Sequence, residues 1–168
     1  YDGTPSSELL GKWRLERSSH RLDANRTEYD ITYADPQTGL IVSMIGKTYT
    51  DFPIAEWTLY FENRGEKDSP ILEKISAIDT SFESSIDSQF TLHHFHGSPA
   101  STPAFEPFET TLGKGNTTHL ATSGGRPTDQ AMCYFNLADA GRGVIVGLGW
   151  PGQWDADVVR GDSRDVRV

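Results

Sequence analysis

The chain has 168 residues, of which 36% are hydrophobic and 11% aromatic, enough for one domain with a sizeable core. Its net charge of -9, with no block of Lys or Arg, argues against non-specific electrostatic binding to nucleic acid or to anionic lipid. No apolar run approaches the length needed to cross a bilayer. Cys133 is the only cysteine, which excludes an intrachain disulfide and a thiolate metal site. A neutral or weakly charged ligand fits these features better than an anionic one, but the favoured interpretation of the acidic surface is that it keeps the domain in solution.

Strand patterns follow one another along most of the chain, whereas residues 6–10 could form one short helical turn at most. Apolar and polar side chains alternate through residues 29–33 and 56–62, which predicts two half-buried strands. In residues 144–150, Val and Leu side chains and Trp150 share one face of another predicted strand. Further strands are predicted around residues 12–20, 40–49, 70–82, 88–96 and 117–121.

Turn-forming residues separate these strands, at positions 35–39, 63–65 and 113–116. Residues 97–107 contain several prolines and are predicted to form a loop rather than an interdomain linker. Many short strands with little helix predict an all-β protein in which two antiparallel sheets pack face to face as a sandwich. We expect residues 1–168 to form a single β-sandwich domain.

The segment Gly-Trp-Pro-Gly-Gln-Trp, residues 149–154, is the most informative stretch of the chain. Pro presets φ and Gly allows angles closed to other residues, so the segment predicts a rigid turn. The indoles of Trp150 and Trp154 could stack on the faces of pyranose rings, and the Gln153 amide could bond hydroxyl groups. The alternative, equally weighted, is that either indole closes a hydrophobic core, since Trp is often largely buried.

The cluster His93-His94-Phe95-His96 is the one stretch that suggests a metal site. On a strand, His94 and His96 would point to the same face, but no spacing in the sequence supplies a third ligand. The favoured interpretation is that these imidazoles bond backbone groups or line a polar surface. We therefore expect no metal and no cofactor.

Arg126 lies in the loop Ser-Gly-Gly-Arg-Pro-Thr, residues 123–128. This loop lacks the Gly-Lys-Ser/Thr ending of a phosphate loop and is not followed by a helix pattern. Arg126 is therefore interpreted as a loop cation that bonds carbonyls or a neighbouring domain. Carboxylates are abundant, but their spacing selects no acid–base pair, so no catalytic residue is predicted.

Several blocks, in a fixed order, resemble the N-terminal β-sandwich of α-galactosidase-like (melibiase-type) glycoside hydrolases, the family-36 relatives. The resemblance covers residues 1–154, and residues 149–154 are its most specific part. The blocks are Thr50-Asp51-Phe52-Pro53, Glu56-Trp57, Phe61-Glu62-Asn63, Ser69-Pro70-Ile71-Leu72, Leu92-His93-His94, His96-Gly97-Ser98, Gly124-Gly125-Arg126-Pro127, Tyr134-Phe135-Asn136-Leu137 and the Trp150–Trp154 turn.

The resemblance implies a large two-sheet sandwich, of the supersandwich or galactose-mutarotase-like kind, that precedes a (β/α)₈ barrel. In such retaining enzymes the catalytic aspartates lie on the barrel, and no segment here matches it. The implied role is that of a non-catalytic accessory domain that packs on the barrel, shapes the site for an α-galactoside-like carbohydrate and assists assembly into a homo-oligomer. Trp150, Gln153, Trp154 and Arg126 are the expected contacts. Trp154→Ala is then expected to harm activity or assembly more than folding.

Two alternatives from other classes stay open. A freestanding carbohydrate-binding module would use the same Trp150 and Trp154, without a downstream barrel. A small metalloenzyme would use His94 and His96. The sequence starts at Tyr1 without Met, and residues 166–168 resemble a strand that has just started. We therefore expect these residues to belong to a longer polypeptide, and a secreted or periplasmic location with the signal peptide removed stays open.

Overall fold

The computed structural model describes residues 1–84, 89–98 and 100–168 of the protein. Antiparallel strands dominate, so the predicted all-β antiparallel fold is confirmed. The chain divides into two compact units, Tyr1–Ala77 and Ile78–Val168. Ser88, in the predicted strand 88–96, and Pro99, in the predicted loop 97–107, lie outside the described residues.

The first unit is a four-stranded antiparallel meander in chain order. It opens with the predicted short turn, a helix α1 over Ser6–Leu9 that continues into a 3-10 turn over Leu10–Lys12. Tight turns join successive strands, so each strand pairs with its neighbour in the sequence. The strands are β1 (Arg14–Arg21), β2 (Arg26–Ala34), β3 (Leu40–Tyr49) and β4 (Ala55–Asn63).

The two faces of this sheet differ sharply in chemistry. The register pairs Leu15 with Tyr33, Tyr33 with Val42 and Val42 with Phe61, which places them in one row on one face. None of the large apolar side chains on this face is buried within the described structure. We call this surface the apolar face of the first sheet, formed by Leu15, Tyr29, Ile31, Tyr33, Val42, Met44, Trp57, Leu59 and Phe61. The opposite face carries Glu16, Glu28, Asp30, Glu56 and Glu62.

A buried carboxylate closes the β2–β3 turn. Asp35 accepts hydrogen bonds from the Tyr1 hydroxyl at 2.8 Å, the Thr38 hydroxyl at 2.6 Å and the Gln37 backbone N–H at 3.0 Å. Gly39 follows in the left-handed region at φ +80, where a side chain would be strained. Burial acts to raise the pKa of Asp35, but the hydrogen bonds outweigh burial and the net shift is downward.

The second unit contains two four-stranded antiparallel sheets, in the orders β10-β9-β6-β7 and β5-β12-β11-β8. The predicted strand over 70–82 is wrong except at its end, where β5 covers Ser81–Glu83. Pro70 has no N–H to give to a ladder, and Lys74 has a positive φ of 51. The other strands are β6 (Phe90–Phe95), β7 (Pro107–Leu112), β8 (Thr117–Ala121), β9 (Tyr134–Asp139), β10 (Arg142–Gly147), β11 (Asp155–Arg160) and β12 (Asp165–Arg167).

One apolar layer lies between these two sheets. Alternate side chains of each strand point into it, as the period of two requires. The layer contains Phe90, Leu92, Leu112, Leu120, Phe135, Leu137, Val146, Val158 and Val166. The predicted face-to-face sandwich therefore corresponds to the second unit, and the first unit adds a third sheet that the two-sheet prediction does not contain.

Arg160 is buried at the edge of this layer without leaving its charge unsatisfied. Its Nη1 donates to the carbonyls of Ser163 at 2.7 Å and Asp165 at 2.8 Å, and its guanidinium carbon lies 4.9 Å from the centroid of the Phe90 ring. These contacts tie the turn after β11 to the core. The short strand β12 can therefore pair with both β11 and β5.

Three connections of the second unit meet at one end of its sandwich. Phe95, the last residue of β6, pairs with Pro107, the first residue of β7, so the β6–β7 connection lies at this end. Ala121, the last residue of β8, pairs with Asp155, the first residue of β11, so the connections after β8 and before β11 lie at this end too. We call this end the loop end, formed by residues 96–98, 100–106, 122–133 and 148–154. Short strands and register thus gather loops from distant parts of the sequence.

The Asp35 turn makes the stability of the protein depend on pH in a specific direction. A carboxyl with a depressed folded pKa stabilises the folded state above its unfolded pKa, and that contribution is lost as the pH falls through the folded pKa. We expect the free energy of unfolding to fall below about pH 4, the ordinary range of Asp, and Asp35→Asn to flatten this fall. Urea denaturation between pH 7 and pH 3 measures it, with the exposed Asp68→Asn as control. Equal acid slopes for wild type and Asp35→Asn would contradict this account.

Candidate functional site

The turn between β10 and β11 presents one Trp to solvent. Strand β10 ends at Gly147, so the predicted strand through Trp150 stops before it and Trp150 leaves the face of Val144 and Val146. A Cβ added at Gly152 would lie 2.8 Å from Trp150 Nε1, which shows that the indole folds directly over this glycine. The Trp150 side chain is 64% exposed, and Gln153 is exposed as well. This ring could stack on a flat partner.

Trp154 belongs to the core instead. It is only 8% exposed and packs with the apolar layer. Its Nε1 donates to the Pro127 carbonyl at 2.8 Å, and its backbone N–H donates to the Thr122 hydroxyl at 3.2 Å. Burial removes this indole from the surface, so the two Trp residues do not form a joint sugar platform. Because Trp154 is buried, we now expect Trp154→Ala to impair folding, contrary to the expectation from the sequence that it matters more for function.

The loop after β8 is built around a buried carboxylate. Asp129 accepts hydrogen bonds from the backbone N–H groups of Ser123, at 3.3 Å, and Gly124. A Cβ at Gly124 would collide with this carboxylate, and one at Gly97 would collide with the Thr128 carbonyl. Both positions therefore require glycine for close packing. Asp129 therefore has a structural role here, because its carboxylate ties together the two ends of the loop.

Arg126 lies at the exposed tip of this loop. Within residues 1–84, 89–98 and 100–168, its side chain makes no hydrogen bond or ion pair. Because the Pro127 carbonyl bonds Trp154, the loop that carries Arg126 is attached to the turn that carries Trp150 and Gln153. The loop end therefore offers an indole, an amide and a guanidinium on a rigid frame. Such a set suits stacking and hydrogen bonding rather than bond cleavage.

The His cluster does not form a metal centre in the described structure. His94 stacks on Phe108 with ring centroids 5.2 Å apart, and its Nε2 lies 3.2 Å from the Thr110 hydroxyl. Burial lowers the pKa of His94. His96 Nδ1 lies 3.2 Å from the Gly97 carbonyl oxygen. Among the residues that the structure describes, no group of three or more His, Cys, Asp or Glu could hold a metal ion.

Sequence reasoning missed a polar cleft on the outer face of the β10-β9-β6-β7 sheet. A cavity of about 450 Å³ is lined there by side chains that include Thr91, His93, Glu109 and Asn136. The signal was the alternation of buried and outward residues in β6 and β9, where Leu92 and Leu137 point inward. We call this surface the outer-sheet cleft.

The fold is similar to part of several α-galactosidases. The galactosidase domain of the α-galactosidase-sucrose kinase AgaSK matches 92% of this chain and 23% of its own, with a TM-score of 0.66 and 16% identity. The family-36 α-galactosidase AgaA from Geobacillus stearothermophilus matches 93% of this chain and 24% of its own, with a TM-score of 0.64 and 16% identity. The α-galactosidase from Lactobacillus brevis matches 92% and 22%, with a TM-score of 0.60 and 13% identity.

The predicted resemblance to α-galactosidase-like glycoside hydrolases is thus confirmed at the level of the fold. The chain spans about a quarter of the length of the solved structures that it matches. No protein-family model and no curated protein matches the chain. Within the described ranges, none of the helices is long and apolar enough to span a membrane.

The opposite placements of the two Trp residues predict opposite effects on stability. Trp154→Ala should lower the free energy of unfolding by about 3–5 kcal/mol, because it leaves a cavity in the core. Trp150→Ala should change it by no more than about 0.5 kcal/mol, since it removes an exposed ring. Urea denaturation of the two variants makes the comparison. Similar losses in both variants would refute the separation of core and surface roles.

Proposed function

We propose that this chain is a non-catalytic N-terminal accessory domain of an α-galactosidase-like glycoside hydrolase. In this proposal it packs on a downstream (β/α)₈ barrel and shapes the rim of the barrel's carbohydrate site. The observation that carries the proposal is the match of 93% of this chain to only 24% of an α-galactosidase. A fold that corresponds to a quarter of such an enzyme supports a part with a supporting role rather than a complete enzyme.

The loop end supports a contact with another domain. Trp150 is exposed on a rigid turn, and Arg126 has no partner in the described part of the chain. Trp and Arg are the residue types most enriched where protein surfaces bind tightly. In the proposal, Trp150, Gln153 and Arg126 contact the barrel or the sugar bound at its rim, while Trp154 holds the turn from inside.

The apolar face of the first sheet supports a second contact surface. It carries Trp57, Phe61 and Tyr29 half-exposed, while the opposite face bears most of the carboxylates of this sheet. Exposed apolar patches of this kind mark interaction sites. We assign this face to the remainder of the parent polypeptide or to a second subunit of a homo-oligomer.

The proposed substrate class of the parent enzyme is based on the ligands bound in two of the matched structures. AgaA from Geobacillus stearothermophilus has been solved in complex with raffinose and with stachyose. We infer that the parent acts on α-galactosides of this kind, with retention of configuration, through residues on its barrel. No residue of this chain is assigned a catalytic role.

A freestanding carbohydrate-binding module is the second candidate function. The observation in its favour is the pairing of an exposed Trp150 ring with the exposed Gln153 amide on one turn. It predicts glycan-dependent quenching of Trp fluorescence that is lost in Trp150→Ala. Unchanged fluorescence across a broad panel of neutral glycans would exclude it.

Activity assays test the accessory-domain proposal. We expect the 168-residue chain to release no nitrophenol from p-nitrophenyl α-galactoside, and the polypeptide encoded by the natural gene to hydrolyse it. In that polypeptide, Trp150→Ala should lower kcat/KM about tenfold, a loss of about 1.4 kcal/mol, with an unchanged Tm. The exposed Ile71→Ala in the first unit is the matched control and should leave both unchanged.

Two results would contradict the proposal. Hydrolysis by the purified chain alone would place catalytic residues within it. A natural polypeptide that lacks α-galactosidase activity would remove the enzyme that the domain is proposed to serve.

A further inference from the structure

The outer-sheet cleft has a floor of small residues between taller polar side chains. The register aligns Gly143 with Ala138 and Ala138 with Thr91 in one cross-strand row. The next row aligns Asn136 with His93 and His93 with Glu109. Side chains in such rows stand about 4.5–5.5 Å apart on one face of a sheet. Small residues in the first row therefore open a depression beside the polar groups of the second.

Gly143 is needed for this depression. A Cβ there would lie 3.2 Å from the Leu137 carbonyl oxygen and 3.4 Å from the Asn136 amide. Without it, the Asn136 amide can be approached from above the sheet. The resulting cavity of about 450 Å³ lies within the roughly 300–1,000 Å³ typical of ligand sites.

Three uncharged polar side chains of the cleft are not used by the described part of the chain. The side chains of Gln89, Thr91 and Asn136 form no hydrogen bond with any residue in the described ranges. An amide both donates and accepts, and so does a hydroxyl. These side chains line one cavity and have donors and acceptors that are free to bond a ligand. Such an arrangement is typical of a binding site for a ligand with several hydroxyl groups.

The lining carries no excess of positive charge, because its one guanidinium, of Arg142, faces the two carboxylates of Glu109 and Asp139. His93 Nδ1 lies 3.4 Å from a Glu109 oxygen, and Arg142 lies 3.5 Å from a carboxylate oxygen of Asp139. No excess positive charge is available for an anionic ligand, and the whole chain carries a charge of -9. A ligand without negative charge fits such a lining, and we take it to be neutral.

An aromatic pair borders the polar row. The rings of Phe95 and Tyr134 are 5.5 Å apart on the same outer face, and Tyr134 is exposed. Aromatic faces stack on the C–H faces of sugar rings while amides bond the hydroxyl groups. Successive outward residues of a strand are about 6.6 Å apart, so the aromatic and polar rows could each serve one ring of a short sugar chain.

We propose that the outer-sheet cleft is a binding site for neutral oligosaccharides, formed by Gln89, Thr91, His93 and Asn136 beside the Phe95–Tyr134 pair. None of these residues belongs to the turn that carries Trp150. An accessory domain without this site would still be an accessory domain, so the two proposals fail independently.

Titration of the ¹⁵N-labelled 168-residue chain with stachyose tests the site. We expect amide chemical-shift changes centred on Thr91, His93 and Asn136, with saturation that yields a Kd. His93→Ala and Asn136→Ala should each raise this Kd at least about tenfold. Ala138→Leu, which fills the floor and removes no hydrogen-bonding group, should abolish binding. Thermal melts of each variant confirm that it is folded.

His119 provides a matched control. It is on the outer face of the other sheet and pairs with Asp157 as His93 pairs with Glu109. His119→Ala and Trp150→Ala should both leave the Kd unchanged. Three results would each overturn the proposal. The first is chemical-shift changes centred on Trp150 and Gln153, and the second is tighter binding of anionic trigalacturonate than of stachyose. The third is the absence of shift changes up to about 10 mM stachyose, which is ten times a Kd of 1 mM.

Discussion

The apolar layer between the two sheets of the second unit is the constraint on which the rest of that unit depends. Because strands alternate their side chains, burying Phe90 and Leu92 forces Thr91 and His93 outward. A shift of register by one residue would exchange these roles and expose the core. The same layer therefore positions the loops at the ends of the sandwich and the polar rows on its outer face.

The layer also explains why two Trp residues in one hexapeptide have different roles. Strand β11 begins at Asp155, so Trp154 is held at its entrance, where the Pro127 carbonyl accepts its indole N–H. Trp150 precedes the turn and projects beyond the last paired residue of β10. The buried ring fixes the turn, and the fixed turn presents the exposed ring. Rigid support of this kind lets a loop bind without a large entropic cost.

The strongly alternating strands could be predicted from the sequence. Strand β3 occupies the predicted residues 40–49 and β8 the predicted 117–121, and the short helix lies where the sequence allows one turn. Strands β7 and β11 were not predicted, because their segments mix polar residues with few apolar ones. Strand β9 was missed as well, although Phe135 and Leu137 alternate there with Asn136 and Ala138. Prediction failed over residues 70–80, where apolar composition suggested a strand but Pro70 and the positive φ of Lys74 prevent a ladder.

The candidate site was only partly visible in the sequence. The turn at residues 149–154 and the exposed loop at Arg126 were found, because Gly and Pro define turns locally. The burial of Trp154 depends on Thr122 and Pro127, which are distant in the sequence, so local pattern could not decide it. Alternation within β6 and β9 tells which side chains point outward, but that they meet in one cleft depends on β6, β9 and β10 lying side by side.

A crystal structure of the natural polypeptide with a bound α-galactoside tests the central claim most directly. The account predicts a (β/α)₈ barrel after this domain, with the Trp150 ring or the Arg126 guanidinium within about 4 Å of the barrel or the sugar. A polypeptide without such a barrel, or a barrel structure in which both side chains face only solvent, would contradict it.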